Sequence, residues 1–126
     1  MKTICVDFDG VIHSYESGWQ GWECIPDPSV KGAITWLYHM SKAYDVCIFS
    51  TRSQSPEGIA AMRNAIERWA LEMYMTGQEL KDFLGRLRFP TNKPPAVLTI
   101  DDRAFCFQGT FPTKEEIEAF KPWNKR

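Results

Sequence analysis

Four aspartates, two hydroxyl residues, an arginine and a lysine stand where short apolar runs end. Asp7-Phe8-Asp9-Gly10 closes the run Ile4-Cys5-Val6, and Ser50-Thr51-Arg52 follows Tyr44 to Phe49. Asp101-Asp102 follows Ala96 to Ile100, with Lys93 just ahead of that last run. Aspartates near their ordinary pKa of ~3.9 are almost wholly ionised at pH 7, so four of them at one edge repel unless a cation lies among them. A hard divalent ion answers that need, and Mg²⁺ takes one or two carboxylates, several waters and a substrate phosphate. Lys93 supplies a second positive charge. Taken singly, each motif has a plainer reading: Asp9-Gly10 as a turn, Asp101-Asp102 as a helix cap, Lys93 as a solvated loop lysine.

These residues meet only if the runs that carry them are neighbouring strands. Lys2 to Phe8 reads as a buried strand stopped by glycine, Tyr44 to Phe49 as a second, Arg86 to Phe89 as a short one and Ala96 to Ile100 as a buried one. Residues 11–26 read as a flap of two short aromatic strands around a turn at Glu16-Ser17-Gly18, carrying Tyr15, Trp19 and Trp22. Asp27 with Pro28 predicts a helix start, and Val30, Ile34, Leu37 and Ser41 share its face until about Lys42. Ser55-Pro56 starts a second helix along Ile59, Met62, Ile66, Trp69 and Met73, closing near Gly77. Glu79 to Leu84 suggests a short helix, and Thr113 with Glu116 a capping box for the last one. Trp36 and Trp69 are expected to pack in the core, His13 to pack or be solvated in the flap, and residues 121–126 to form a tail of little structure.

Strand-helix alternation of this kind predicts a single Rossmann-like α/β domain over residues 1–126: a mostly parallel central sheet, helices on both faces and no large cap. In such folds the working site lies at the carboxyl ends of the strands, where Asp7-Phe8-Asp9, Ser50-Thr51 and Asp101-Asp102 stand. The chain of 126 residues leaves no room for a second domain of ordinary size.

Composition narrows the partners. Fifteen Lys and Arg against 16 Asp and Glu give a formal charge of −1, so no whole-chain field recruits nucleic acid or an anionic membrane. No signal peptide and no apolar run of membrane-spanning length is visible, which places the chain in the cytoplasm. Cys5, Cys24, Cys47 and Cys106 lack the paired spacing of a zinc site and read as reduced thiols. Neither a phosphate-binding P-loop nor a G-x-G-x-x-G after the first strand occurs, so nucleotide kinases and dinucleotide enzymes have no support.

The order of the motifs resembles the haloacid dehalogenase (HAD) superfamily: a strand ending in Asp-x-Asp-Gly-Val, a strand ending in Ser, then Lys ahead of a strand ending in Asp-Asp. The likeness spans residues 4–109, and Lys93-Pro94-Pro95-Ala96 through Asp101-Asp102-Arg103-Ala104 is similar to the small hydrolases of that superfamily from bacteria and phages. It implies Asp7 as the nucleophile that forms an aspartyl-phosphate, and Asp9 as the acid and base for leaving group and water. It implies Ser50 and Lys93 on the phosphoryl group, and Mg²⁺ held by Asp7, the backbone carbonyl of Asp9, Asp101 and Asp102. Phosphatases of the superfamily have the second aspartate and dehalogenases lack it, so Asp9 argues for phosphate esters. Thr51 could share or replace the role of Ser50, and Asp102 could exchange with Asp101 as principal ligand. Arg52 is expected at the rim, on a substrate phosphate or in a surface ion pair, and Arg103 beside a carboxylate.

The resemblance further implies a capless member, which acts on large substrates or closes its open site with another copy in a homo-oligomer. The substrate is a phosphorylated small molecule, a nucleotide or a nucleic-acid end. One of Trp19 and Trp22 is expected to face the site, where it could stack on a base. Two other classes fit the residues less well: a catalytically idle HAD-fold binding protein, and a phosphoacceptor receiver module, which places its acidic pair early and its accepting aspartate later.

Overall fold

Ile4, Cys5 and Val6 are almost wholly buried because the strand they form is paired on both edges. The computed structural model describes residues 1–126. β1 (Thr3–Val6), β2 (Asp45–Ile48), β3 (Leu87–Arg88) and β4 (Leu98–Ile100) form one parallel sheet in the order β3-β2-β1-β4. The α/β architecture with a parallel sheet and no large cap is as the strand-helix alternation predicts. Its register sets Val6 level with Ile48 and Ile100, so Asp7, Phe49 and Asp101 leave the sheet at one edge.

Three helices pack on this sheet: α1 (Ala33–Ala43), α2 (Pro56–Glu72) and α3 (Gly77–Arg86). Ile34 and Leu37 of α1, Met62, Ile66 and Trp69 of α2, and Leu80 and Phe83 of α3 share one core with Ile4, Val6, Val46, Ile48 and Leu87. Successive strand residues point to opposite faces, so a shared core puts all three helices on the same face. The expectation of helices on both faces is corrected here. Only residues 89–97 join β3 to β4, too few for the crossover helix that parallel strands usually use. That connection runs across the second face, where Lys93 lines a cleft with Cys5 and Thr99.

Several element boundaries also move. The helix predicted from Asp27 begins at Ala33, after Gly32 in the left-handed region at φ 84°. Asp27 is otherwise engaged: its carboxylate accepts from the backbone N–H and the hydroxyl of Ser17 at 2.8 and 2.6 Å. The flap contains no strands, and residues 14–28 run as turns and loop. Ala96 and Val97 lie outside β4, and Val97 and Leu98 are 64 % and 56 % exposed, so this run is a bare edge strand and not a buried one. Trp69 is buried as expected, but Trp36 is substantially exposed beside an apolar groove. The Thr113–Glu116 capping box forms with both bonds, yet no residue of α4 (Lys114–Ala119) is buried. All four cysteines are free, and no helix is long and apolar enough to cross a membrane.

Residues 121–126 do not trail away. Pro122 is buried, Trp123–Lys125 form a 3-10 turn, and the Trp123 indole N–H donates to the Gly10 carbonyl at 2.7 Å. The tail is thus tied to the turn that follows β1.

Candidate active site

The ladder of β1 continues one residue past the strand: Asp7 N–H donates to Ile100 O at 2.9 Å, and Phe49 N–H donates to Val6 O at 3.0 Å. Asp7 is thereby fixed between its two neighbours. Ligand oxygens of Asp7, Asp101 and Asp102 lie within 4.8 Å of one another. Burial, then repulsion from Asp101, pushes the Asp7 carboxyl up to about 8. Burial likewise raises Asp102, whose side chain is only 2 % exposed. Asp102 Oδ1 is buried with no hydrogen-bond partner, and the nearest guanidinium nitrogen, Arg103 Nε, stands 3.8 Å from Oδ2. Asp101 Oδ1 accepts from Arg103 N–H at 2.8 Å. Three crowded acidic side chains, Asp101 repelling the other two, with a buried Asp102 oxygen that no donor reaches, fit a divalent cation, which would hold all three ionised and occupy the unused lone pairs.

Gly10 explains why Asp102 can sit so close. It holds φ +85°, and a Cβ on it would overlap the Asp102 carboxylate. Any other residue would be strained at that φ and would displace the Asp102 carboxylate from its place beside the turn after β1.

Beside the carboxylates a cleft of about 280 Å³ opens, lined by Asp7, Ser50, Thr51, Lys93, Asp101 and Arg103 among others. The Ser50 hydroxyl is already employed. It accepts from Arg52 N–H at 3.0 Å as the N-cap of the 3-10 turn Thr51–Gln54, and its proton faces Met62 Sδ at 3.4 Å. Thr51, one residue on, is exposed in the same cleft. Between the two hydroxyls, Thr51 is the better placed to meet an incoming ligand.

Asp9 is drawn away from this cluster. Its carboxylate accepts from Arg52 Nε at 2.9 and 3.2 Å and faces His13 Nδ1 at 2.9 Å. Asp27 N–H donates to His13 Nε2 at 3.1 Å, so the ring proton belongs on Nδ1 and is given to Asp9. His13 is fully buried in a cluster of three rings, tilted on Phe8 at 5.8 Å and stacked on Trp69 at 6.2 Å. Arg52 is also fully buried, and three of its four remaining N–H donors go to the carbonyls of Gly21, Trp22 and Cys24. That corrects the sequence-based expectation for Arg52: it is neither a rim residue for substrate phosphate nor a surface ion pair, but the internal post on which Asp9 and the flap hang. Gly58 of α2 permits this, because a Cβ there would overlap the Arg52 carbonyl.

Trp19 and Trp22 are 45 % and 38 % exposed and meet edge to face at 5.2 Å, with the Arg52 guanidinium 4.9 Å from the Trp19 ring centre. Both are on the surface, and neither lines the cleft beside the carboxylates, where one of them was expected. The i, i+4 spacing of Asp9 and His13 was a visible hint of their pairing; nothing in the sequence pointed to Trp123 on Gly10.

No family model matches this chain, and neither the curated proteins nor the solved structures contain a match to it.

Proposed function

We propose that the chain is a Mg²⁺-dependent phosphomonoester hydrolase that works through an aspartyl-phosphate on Asp7. The observation that carries this is the Asp7–Asp101–Asp102 cluster with its unpartnered Asp102 oxygen, opening onto a cleft that also holds Thr51 and Lys93. Bound Mg²⁺, held by Asp7, Asp101, Asp102 and the Asp9 carbonyl, would lower the repulsion between anionic nucleophile and anionic phosphate. Lys93 neutralises a phosphoryl oxygen, and the Thr51 hydroxyl, with Ser50 behind it, hydrogen-bonds another. An Asp7 carboxylate oxygen attacks phosphorus as the ester P–O bond breaks. Asp9, once it leaves Arg52 and His13 and takes a proton from solvent, gives that proton to the leaving oxygen, then takes one back from the water that splits the acyl-phosphate. Trp19 and Trp22 lie outside the cleft, and their exposed rings would stack on a base of a substrate that reaches past it, which favours a nucleotide or a nucleic-acid end over a sugar phosphate. Four free thiols suit a reducing cytoplasm.

A second reading, a catalytically idle cation-binding domain, is favoured by the hold of Arg52 and His13 on Asp9. One experiment separates them. Phosphate release is measured over aryl phosphates, sugar phosphates, nucleotides and phosphorylated oligonucleotides, with Mg²⁺ and with chelator, for the wild type and Asp7→Asn. The phosphatase reading expects Mg²⁺-dependent turnover that the variant loses while its circular dichroism is unchanged. Turnover that survives Asp7→Asn, or none on any substrate, overturns it.

A further inference from the structure

We propose that Trp123 is a positioning residue for Asp9, acting through the carbonyl of Gly10. The inference deepens the phosphatase reading and rests on it for the role of Asp9. The turn after β1 is wound around one acceptor: the Phe8 carbonyl receives Val11, Ile12 and His13 N–H at 3.2, 2.9 and 3.0 Å, and Gly10 N–H donates to His13 O at 2.8 Å. Within the turn the Gly10 carbonyl points outward, and its partner comes from the far end of the chain, the Trp123 indole N–H at 2.7 Å. Gly10 is the residue where three parts of the site touch. Asp9 precedes it, its α-carbon lies against the Asp102 carboxylate, and its oxygen is held by Trp123. The indole bond pins the Gly10–Val11 peptide, and that peptide joins Asp9 to the Val11–His13 half of the turn, whose His13 ring meets the Asp9 carboxylate at 2.9 Å.

Two further bonds complete the strap: Asn124 Nδ2 donates to Ser14 O at 3.1 Å and Lys125 Nζ to Glu16 O at 3.4 Å. They grip the flap beyond the Asp9 turn. The Asn124 junction is loosely made, since Ser14 Oγ and Asn124 Oδ1 are both buried without partners. Trp123 is therefore the member whose loss reaches the acid-base residue.

The test uses the full chain with Trp123→Phe, which keeps an aromatic ring and deletes the N–H, beside Asn124→Ala as a control within the strap. One readout is hydrogen exchange of the Val11, Ile12 and His13 amides in metal-free protein. The other is kcat/KM, which reports steps through phosphorylation of Asp7 and not the hydrolysis common to all substrates, for an alkyl phosphate, whose leaving group needs a proton, against a nitrophenyl phosphate, whose leaving group does not. Trp123→Phe should speed exchange at those amides and lower kcat/KM on the alkyl ester by about two- to tenfold more than on the aryl ester, the range one neutral hydrogen bond is worth. Asn124→Ala should do neither. Unchanged exchange, or an equal loss on both esters, overturns the proposal. If the wild type turns over neither ester, the phosphatase reading fails, and exchange alone decides whether Trp123 holds the turn.

Discussion

The sheet is well covered at one end and bare at the other. From β3 to β1, three helices share one core with alternate strand residues, and Phe83, Met62, Ile66 and Leu37 are fully buried. From the residue before β4 onward, Val97, Leu98, Phe105, Phe107, Phe111 and Ile117 are exposed, and α4 buries nothing. The candidate site straddles this boundary. Asp7 and Thr51 come from the covered side, Asp101, Asp102 and Lys93 from the thinly covered one. A cation shared by Asp7 and Asp102 would therefore tie a loosely packed strand to a firmly packed one.

Two arginines offer the sharpest way to break that comparison. Arg52 and Arg103 each stand beside an aspartate, but Arg52 is fully buried with four of its five N–H donors bonded, and the Arg103 side chain is 59 % exposed at 3.8 Å. Chemical denaturation should find Arg52→Ala destabilised by about 3–5 kcal/mol, because Asp9 and three carbonyls lose their partner, and Arg103→Ala by about 0–1 kcal/mol. Similar losses for both would mean the two regions are equally well held. Phenylalanines repeat the contrast in apolar terms: Phe83→Ala should cost about 3–5 kcal/mol, whereas Phe107→Ala should stay within about 0.5 kcal/mol.

Acidity gives a third probe, at the boundary itself. An unfolded Asp7 releases its proton near 3.8, while the folded chain holds it to about 8, so the metal-free fold should lose stability as pH rises through that window. Asp7→Asn should flatten this part of the pH–Tm profile, and Mg²⁺ should raise the wild-type Tm more at pH 8 than at pH 5. A wild-type Tm that climbs steadily from pH 4 to 8 without metal would contradict the placement of Asp7.

The smallest expected effect concerns the flap. Trp22→Ala removes an exposed ring without uncovering Arg52, which lies against Trp19. It should retain aryl-phosphate turnover and lose roughly 5- to 150-fold in kcat/KM on nucleotides, following ~1–3 kcal/mol of stacking per base. Equal effects on both substrates would remove the argument for a nucleotide.

The covered region was the more legible in sequence. Its helices repeat apolar residues at three and four, and α2 begins at Ser55-Pro56 as predicted, because a core on one face imposes a period that can be read residue by residue. Strand ends were legible too, since an apolar run that stops at Asp7, Ser50 or Asp101 marks where chain leaves the core for water. The helix predicted from Asp27 failed because a residue that can cap can equally accept from a distant serine, and Ser17 took it.

The sequence by itself determined that parallel strands deliver Asp7, Ser50-Thr51 and Asp101 to one edge, through local hydrophobic runs and their breakers. Only the tertiary structure decided what the polar groups do there: that Arg52 turns inward to Asp9, that His13 presents its Nδ1 proton, that Ser50 caps a turn, and that Trp123 closes on Gly10. The physical reason is range. Burial patterns act over neighbouring residues and leave a period, whereas a hydrogen bond joins groups 43 or 113 positions apart in the chain and leaves none.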